Sequence, residues 1–215
     1  MRVNRSPFRA GAGALVAILV FSVLSFAQTS PQKGAFPEVR IKNFGRMDER
    51  FYRGAQPRAA DYKALAAVGI NTVIDLRHDP EDYARQSAEA AGLRYVNIPM
   101  IEKKYPRGEH VEEFLKLAGD PSTGKFYVHC AGGRHRTGVM GAVYRFNNYG
   151  WNFAQVYAEM KNFDFYTRWG HGDFKKFVED YWQGVQAKGV QSSVAAAAGV
   201  SATTAASSSS AQANR

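Results

Sequence analysis

The sequence predicts an α/β domain, a central and mostly parallel sheet flanked by helices. Three observations carry this. Short runs rich in β-branched and aromatic residues recur at 71–76, 93–98 and 125–129. Segments with helical spacing of apolar residues alternate with them. The last run passes through a glycine pair, Gly132 and Gly133, directly into another helical segment.

In chain order, Ile41 to Tyr52 is expected to supply a pair of short strands. Ala59 to Val68, with Tyr62, Leu65, Ala66 and Val68 apolar, reads as a helix closed by Gly69. Asn71 to Leu76 is a β-branched run and hence a strand. Asp79-Pro80-Glu81-Asp82 has the chemistry of a helix start, with an acid at the N-cap and proline first in the helix, and Gly92 ends that helix. Leu93 to Ile98 is the second strand, and His110 to Ala118 a helix with Val111, Phe114, Leu115 and Ala118 on one face. Lys125 to His129 is the third strand, which delivers Cys130. Thr137 to Asn147, Phe153 to Lys161 and Phe174 to Trp182 are helical. Trp151, Phe153, Phe163, Phe165, Tyr166 and Trp169 are expected on the buried side of the C-terminal helices.

Neither end of the chain reads as globular. Residues 1–27 carry Arg2, Arg5 and Arg9 without an acid, then an apolar run from Ala14 to Phe26, then Ser25 and Ala27 spaced for cleavage before Gln28. That is the layout of a secretory signal peptide, so export to a periplasm or the exterior is expected. The alternative is an uncleaved N-terminal anchor, which alone would bring the chain to a membrane. Residues 28–35 read as a linker, 36–183 as the folded domain and 184–215 as an Ala/Ser-rich tail too poor in apolar surface to fold. Without the leader the chain carries 25 basic and 19 acidic side chains, a net of +6. That balance fits an anionic substrate. No long Lys/Arg run supports nucleic-acid binding, and no His/Cys/Asp cluster has metal spacing, so neither cofactor nor metal is expected. A monomer is expected. Cys130 is the sole cysteine, so no internal disulfide can form.

His129-Cys130-Ala131-Gly132-Gly133-Arg134-His135-Arg136-Thr137-Gly138 lies where a strand hands over to a helix. Ligand sites of open α/β sheets sit at such carboxyl ends. The glycines let successive N–H groups turn inward as an anion nest, and the helix start adds unpaired N–H groups and a positive dipole end. Such a loop binds a tetrahedral oxyanion and stabilises a thiolate, so Cys130 should ionise below the free value of about 8.5. The planar fork of Arg136 can hold two phosphate oxygens, and the Thr137 hydroxyl can ease departure of the sulfur. The backbone of Ala131, Gly132, Gly133, Arg134 and His135 would form the substrate cradle. Arg134 and His135 at its rim, with Lys103, Lys104 and Arg107 on the facing loop, would make a basic mouth.

The pattern His129-Cys130, five residues, Arg136-Thr137-Gly138 resembles the signature loop of the cysteine-based protein tyrosine and dual-specificity phosphatases. Gly133 to Gly138, GRHRTG, is similar to the GKHRTG of the plant and fungal atypical dual-specificity phosphatases, with Arg for Lys. Tyr52 to Pro57 (YRGAQP) and Asn71 to Arg77 (NTVIDLR) resemble further segments of that family, as does the region from Trp151 to Asp180; the likeness spans about Phe44 to Trp182. It implies the protein tyrosine phosphatase fold and metal-free hydrolysis of phosphomonoesters through a cysteinyl-phosphate. It also implies that His129 supports the loop by hydrogen bonding, and that the substrate is a phosphotyrosine protein or an inositol polyphosphate.

The family's usual aspartic acid is missing from the loop after the second strand, Ile98 to Arg107, where Glu102 is the sole carboxylate. Glu102 is therefore the candidate general acid, against the alternative of a solvated charge paired with Lys103 or Lys104. Two other readings stay open at this point: a phospho-ligand binding pseudophosphatase, and a rhodanese-type sulfurtransferase, whose cysteine loop is usually one residue tighter.

Overall fold

The computed structural model describes residues 32–33 and 36–189. The expected signal peptide, 1–27, lies outside the described residues, as does the tail beyond 189. Among the described residues, six strands form one sheet: β1 (Gln32–Lys33), β2 (Gly45–Arg46), β3 (Phe51–Ala55), β4 (Thr72–Arg77), β5 (Arg94–Met100) and β6 (Phe126–Cys130), in the spatial order β1-β2-β3-β6-β4-β5. β3, β6, β4 and β5 pair in parallel, and β1 and β2 add a short antiparallel edge. β1 lies in the segment read from sequence as a linker. At the other end the last helix, residues 172–189, continues beyond residue 183.

The helices are α1 (Asp61–Ala67), α2 (Ala84–Ala90), α3 (Gly108–Gly119), α4 (Arg136–Tyr149), α5 (Phe153–Asn162) and α6, residues 172–189. One boundary is corrected. α2 begins at Ala84 instead of Pro80, because the acids expected to cap it face Arg77: Asp79 Oδ2 lies 3.5 Å from Nη2, and Glu81 holds Nη1. An arginine at the end of β4 thus takes the charge that the sequence offered to a helix N-terminus.

β6 sits between β3 and β4 with every residue buried, as expected of a parallel strand covered on both faces. Its period of two divides its side chains between two cores. Phe126, Val128 and Cys130 join the apolar cluster with Phe114 of α3, Val139 and Val143 of α4 and Met160 of α5. Tyr127 joins the opposite cluster with Tyr62 and Leu65 of α1 and Ala88 of α2. Strand parity therefore sends the thiol to the face on which α4 begins.

α4 is buried continuously from Arg136 to Phe146, which makes it the central helix of that layer. Near its far end Arg145, fully buried, donates from Nη2 to Glu159 of α5 at 2.7 Å and to the Met47 carbonyl at 2.9 Å. Its guanidinium lies 4.3 Å from the Trp151 ring centroid. Breaking one partner of a buried, hydrogen-bonded pair strands the other charge, so Glu159→Ala is expected to cost about 3–5 kcal/mol. Urea unfolding of the variant checks this; a change near zero would show that Arg145 finds water. The expected burial of the aromatic residues after α5 holds for Phe163 and Phe165 but not for Trp169, which is 68% exposed.

Candidate active site

Cys130 is the last residue of β6, Arg136 the first of α4, and the five residues between close a loop. Three carbonyls of that loop are taken up from outside. The Gln56 amide donates to Ala131 O at 3.3 Å, Asn43 Nδ2 to Gly132 O at 3.2 Å and Arg53 Nη2 to Gly133 O at 2.9 Å. A trans peptide points its N–H opposite its C=O. With three consecutive carbonyls held outward, the amides of Gly132, Gly133 and Arg134 face the interior of the loop. Gly133 makes this path accessible: its φ is +65°, and a Cβ there would stand 2.3 Å from the Gly54 carbonyl carbon.

Burial pushes the Cys130 thiol up, but its net pKa is lowered. The opposing causes are the Arg136 charge, the Thr137 hydroxyl, and the amides of Thr137 and Arg134 directed to the sulfur. Thr137 is fully buried and its hydroxyl has no oxygen or nitrogen partner. Arg136, only 4% exposed, is anchored by Nη1 to the Met100 carbonyl at the end of β5, 3.1 Å away, which leaves the rest of its fork for an anion.

The structure thus brings Cys130, Ala131, Gly132, Gly133, Arg134, Arg136 and Thr137 together as expected. It corrects His135 as a rim group. That ring turns away from the cradle: it stacks on His171 at 3.7 Å, sits edge-on to Tyr166 at 4.3 Å, and pairs Nε2 with the Tyr166 carbonyl at 3.1 Å. Burial, then His171, push it down to about 3, so it is neutral and adds no charge to the mouth. Arg107 is likewise engaged, with Glu109 at 2.8 Å.

The hydrogen bond by which His129 is expected to support the loop is not formed: neither ring nitrogen has a hydrogen-bond partner among the described residues. Its ring is fully buried and stacked on Tyr127, with Asp75 Oδ1 at 3.7 Å from Nδ1. Burial, against the pull of Asp75, lowers it to about 4. It therefore stays neutral beside the cysteine.

Glu102 does not take Lys103 or Lys104 as an ion-pair partner. Its Oε1 lies 3.8 Å from His171 Nε2, and its side chain is 55% exposed. Lys103 adopts a left-handed backbone, φ 59°, and packs its stem against Gly170. Tyr105 ties the same loop to α6, its hydroxyl donating to Asp180 at 2.8 Å. Sequence reasoning missed Asn43 and Arg53, and it reads His171, in WGHGDF, as a loop residue and not a ligand. Arg53 and Gln56 lie inside the YRGAQP segment already singled out, whereas Asn43 carried no signal beyond its type.

A thiol biased toward thiolate and an amide-lined cradle on one loop define a class, the cysteine-dependent phosphatases. Comparison with known proteins agrees. The family model described as DSP-PTPase phosphatase fused to NAD+ kinase matches residues 39–169, and the chain belongs to this dual-specificity phosphatase family. The dual specificity protein phosphatase TpbA of Pseudomonas aeruginosa is 26% identical over 187 residues, 86% of this chain and 83% of the relative. The crystal structure of P. aeruginosa TpbA superposes with a TM-score of 0.58 at 24% identity, covering 68% of this chain and 90% of that one. The catalytic core of the PP-IP phosphatase SIW14 from S. cerevisiae has the same fold, with a TM-score of 0.56 at 18% identity over 65% of this chain and 85% of that one.

Proposed function

We propose that the chain hydrolyses phosphotyrosine-type monoesters in two steps, with Cys130 as nucleophile. The observation that carries this reading is the ring of outward-held carbonyls around a thiol of lowered pKa. The thiolate attacks phosphorus, the P–O bond breaks, and its electron pair leaves on the ester oxygen, which takes a proton from Glu102. Water then attacks the cysteinyl-phosphate and gives a proton to Glu102, while the thiolate departs with help from the Thr137 hydroxyl. The inward amides and Arg136 hold the transferring oxygens throughout.

A protein substrate is favoured over an inositol polyphosphate by the rim. With His135 neutral and Arg107 paired to Glu109, the mouth is less cationic than its sequence suggests. Aromatic rings accompany the arginines there: Tyr166 lies beside the Arg134 guanidinium at 5.9 Å, and Trp169 beside that of Arg168 at 4.3 Å. The leader-like residues 1–27 support an exported site of action.

The test is phosphate release in the presence of EDTA from an aryl phosphate, a phosphotyrosine peptide and inositol hexakisphosphate. The peptide and aryl ester should turn over fastest. Release from the inositol ester alone would move the substrate class, and tight binding without release from any would leave a binding module. For the acid, Glu102→Gln should slow phenyl phosphate by about 10²-fold or more and 4-nitrophenyl phosphate far less. Equal losses on both would remove Glu102 from that role.

A further inference from the structure

Arg53, in the middle of β3, is fully buried on the outer side of the cradle loop. Its Nη2 donates to the Gly133 carbonyl at 2.9 Å, and its guanidinium lies 4.0 Å from the Phe163 ring centroid. Gly141, in the interior of α4, lies against it: a Cβ there would stand 3.4 Å from Nη1. Among the described residues Arg53 forms no ion pair, and its Nε has no hydrogen-bond partner. A buried charge without a partner is among the costliest groups a fold can hold, so its presence calls for an anion.

The charged and titratable groups that face Arg53 narrow the choice. They are Glu159 of α5, Cys130 and Tyr127 of β6, and Arg145 of α4. Burial pushes Arg53 down to about 10, so it keeps its charge at neutral pH; Glu159 and then Cys130 favour that charge, and Arg145 opposes it. Glu159 is already bound to Arg145 at 2.7 Å. Tyr127 donates its hydroxyl to the Ala55 carbonyl at 2.6 Å, and burial holds it neutral. The sulfur of Cys130, or an anion seated in the cradle, is the negative charge left for Arg53.

A single peptide makes the connection. The Gly133 carbonyl that accepts from Arg53 and the Arg134 amide directed to the Cys130 sulfur belong to one planar unit. A cation at the oxygen polarises that unit and makes its N–H a stronger donor. We propose that Arg53 is a positioning residue of the cradle and the buried counter-charge of the anion it holds, acting through the peptide that joins Gly133 to Arg134. This rests on Cys130 being the ionised nucleophile of a phosphate cradle. Arg136 offers its fork to the anion itself, whereas Arg53 acts through the backbone. A clamp kept only for the fold would lower stability when removed. A lone buried charge replaced by an apolar chain of similar length costs the fold little, while the cradle loses its counter-charge.

The test uses the full chain and three variants: Arg53→Met, which removes charge and donor, Arg53→Gln, which keeps a donor without charge, and Arg53→Lys, which keeps both. Three quantities are read: the pH midpoint of Cys130 alkylation by iodoacetamide, the affinity for tungstate, and the urea midpoint in anion-free buffer. In the Met and Gln variants the alkylation midpoint should rise toward that of a free thiol, and tungstate affinity should fall about tenfold or more. Lys should restore most of both. The urea midpoint of Arg53→Met should be no lower than that of the wild type. Wild-type behaviour of Arg53→Gln, a Lys variant as impaired as Met, or a lowered urea midpoint with an unchanged alkylation midpoint would each overturn the proposal. If Arg53→Met does not fold, the contrast between Gln and Lys decides by the same criteria. If the wild-type thiol itself titrates as a free one, the reading of Cys130 fails; if it is lowered and no Arg53 variant moves it, Arg53 alone is wrong.

Discussion

Cys130→Ser is expected to lower phosphate release by at least about 10⁴-fold while leaving tungstate binding close to that of the wild type. The two readouts separate because the cradle is built from amides and Arg136, none of which the substitution removes. A serine hydroxyl in the same place keeps its proton near neutrality, whereas the arginine, the threonine hydroxyl and two amides draw the thiol below its ordinary pKa. The ionised fraction of the wild type therefore rises with pH through that lowered value, and reaches its plateau before a free thiol would. Alkylation by iodoacetamide, followed against pH, should show its midpoint below about 8.5. Residual turnover in the serine variant above a thousandth of the wild type would place the nucleophile elsewhere.

Gly133→Ala should be nearly as damaging by a different route. Glycine 133 has φ +65°, and an added Cβ meets the carbonyl carbon and oxygen of Gly54 at 2.3 and 2.4 Å and the Ala55 amide at 2.6 Å. These are backbone atoms of β3, so the contact cannot be relieved by a rotamer change. The loop must lift, and the bond from Arg53 to the Gly133 carbonyl opens with it. A shift of about 1 Å at the reacting atoms costs on the order of 10²-fold, so kcat/KM should fall by that much or more and tungstate affinity should fall too. Gly132→Ala is the control. Its Cβ would meet only the flexible Arg134 side chain, at 3.6 Å, and its effect should be small. Equal behaviour of the two variants would mean that the close approach to β3 does not shape the cradle.

What the sequence made legible was local. The run Phe126 to Cys130, the glycine turn and the helix that follows are contiguous, so spacing alone assembled nucleophile, cradle and arginine. The parallel sheet followed from alternation of strand and helix. What stayed hidden depends on contacts between distant segments. Asp79 and Glu81 have the sequence of a helix cap, yet they face Arg77, and only the fold decides between the two. His135 reads as a rim cation because of its place in the loop, but the aromatic residues that bury it come after α5. Glu102 could be nominated by elimination, whereas its neighbour His171 could not, since the two lie on different loops. Trp169 reads as core by composition and is a surface residue.

The outward hold on the loop carbonyls has a consequence for when the protein becomes chemically competent. Asn43 and Arg53 reach Gly132 and Gly133 across 89 and 80 residues of chain, so the nest cannot exist until β3 has found β6. Before that encounter Cys130 is an ordinary thiol with an ordinary acidity, poorly reactive toward oxidants and electrophiles. Long-range parallel pairing is among the slower events of folding. Reactivity is thus timed by the closure of the sheet, and a nascent chain carries its nucleophile in an inert form until the fold that can use it is complete.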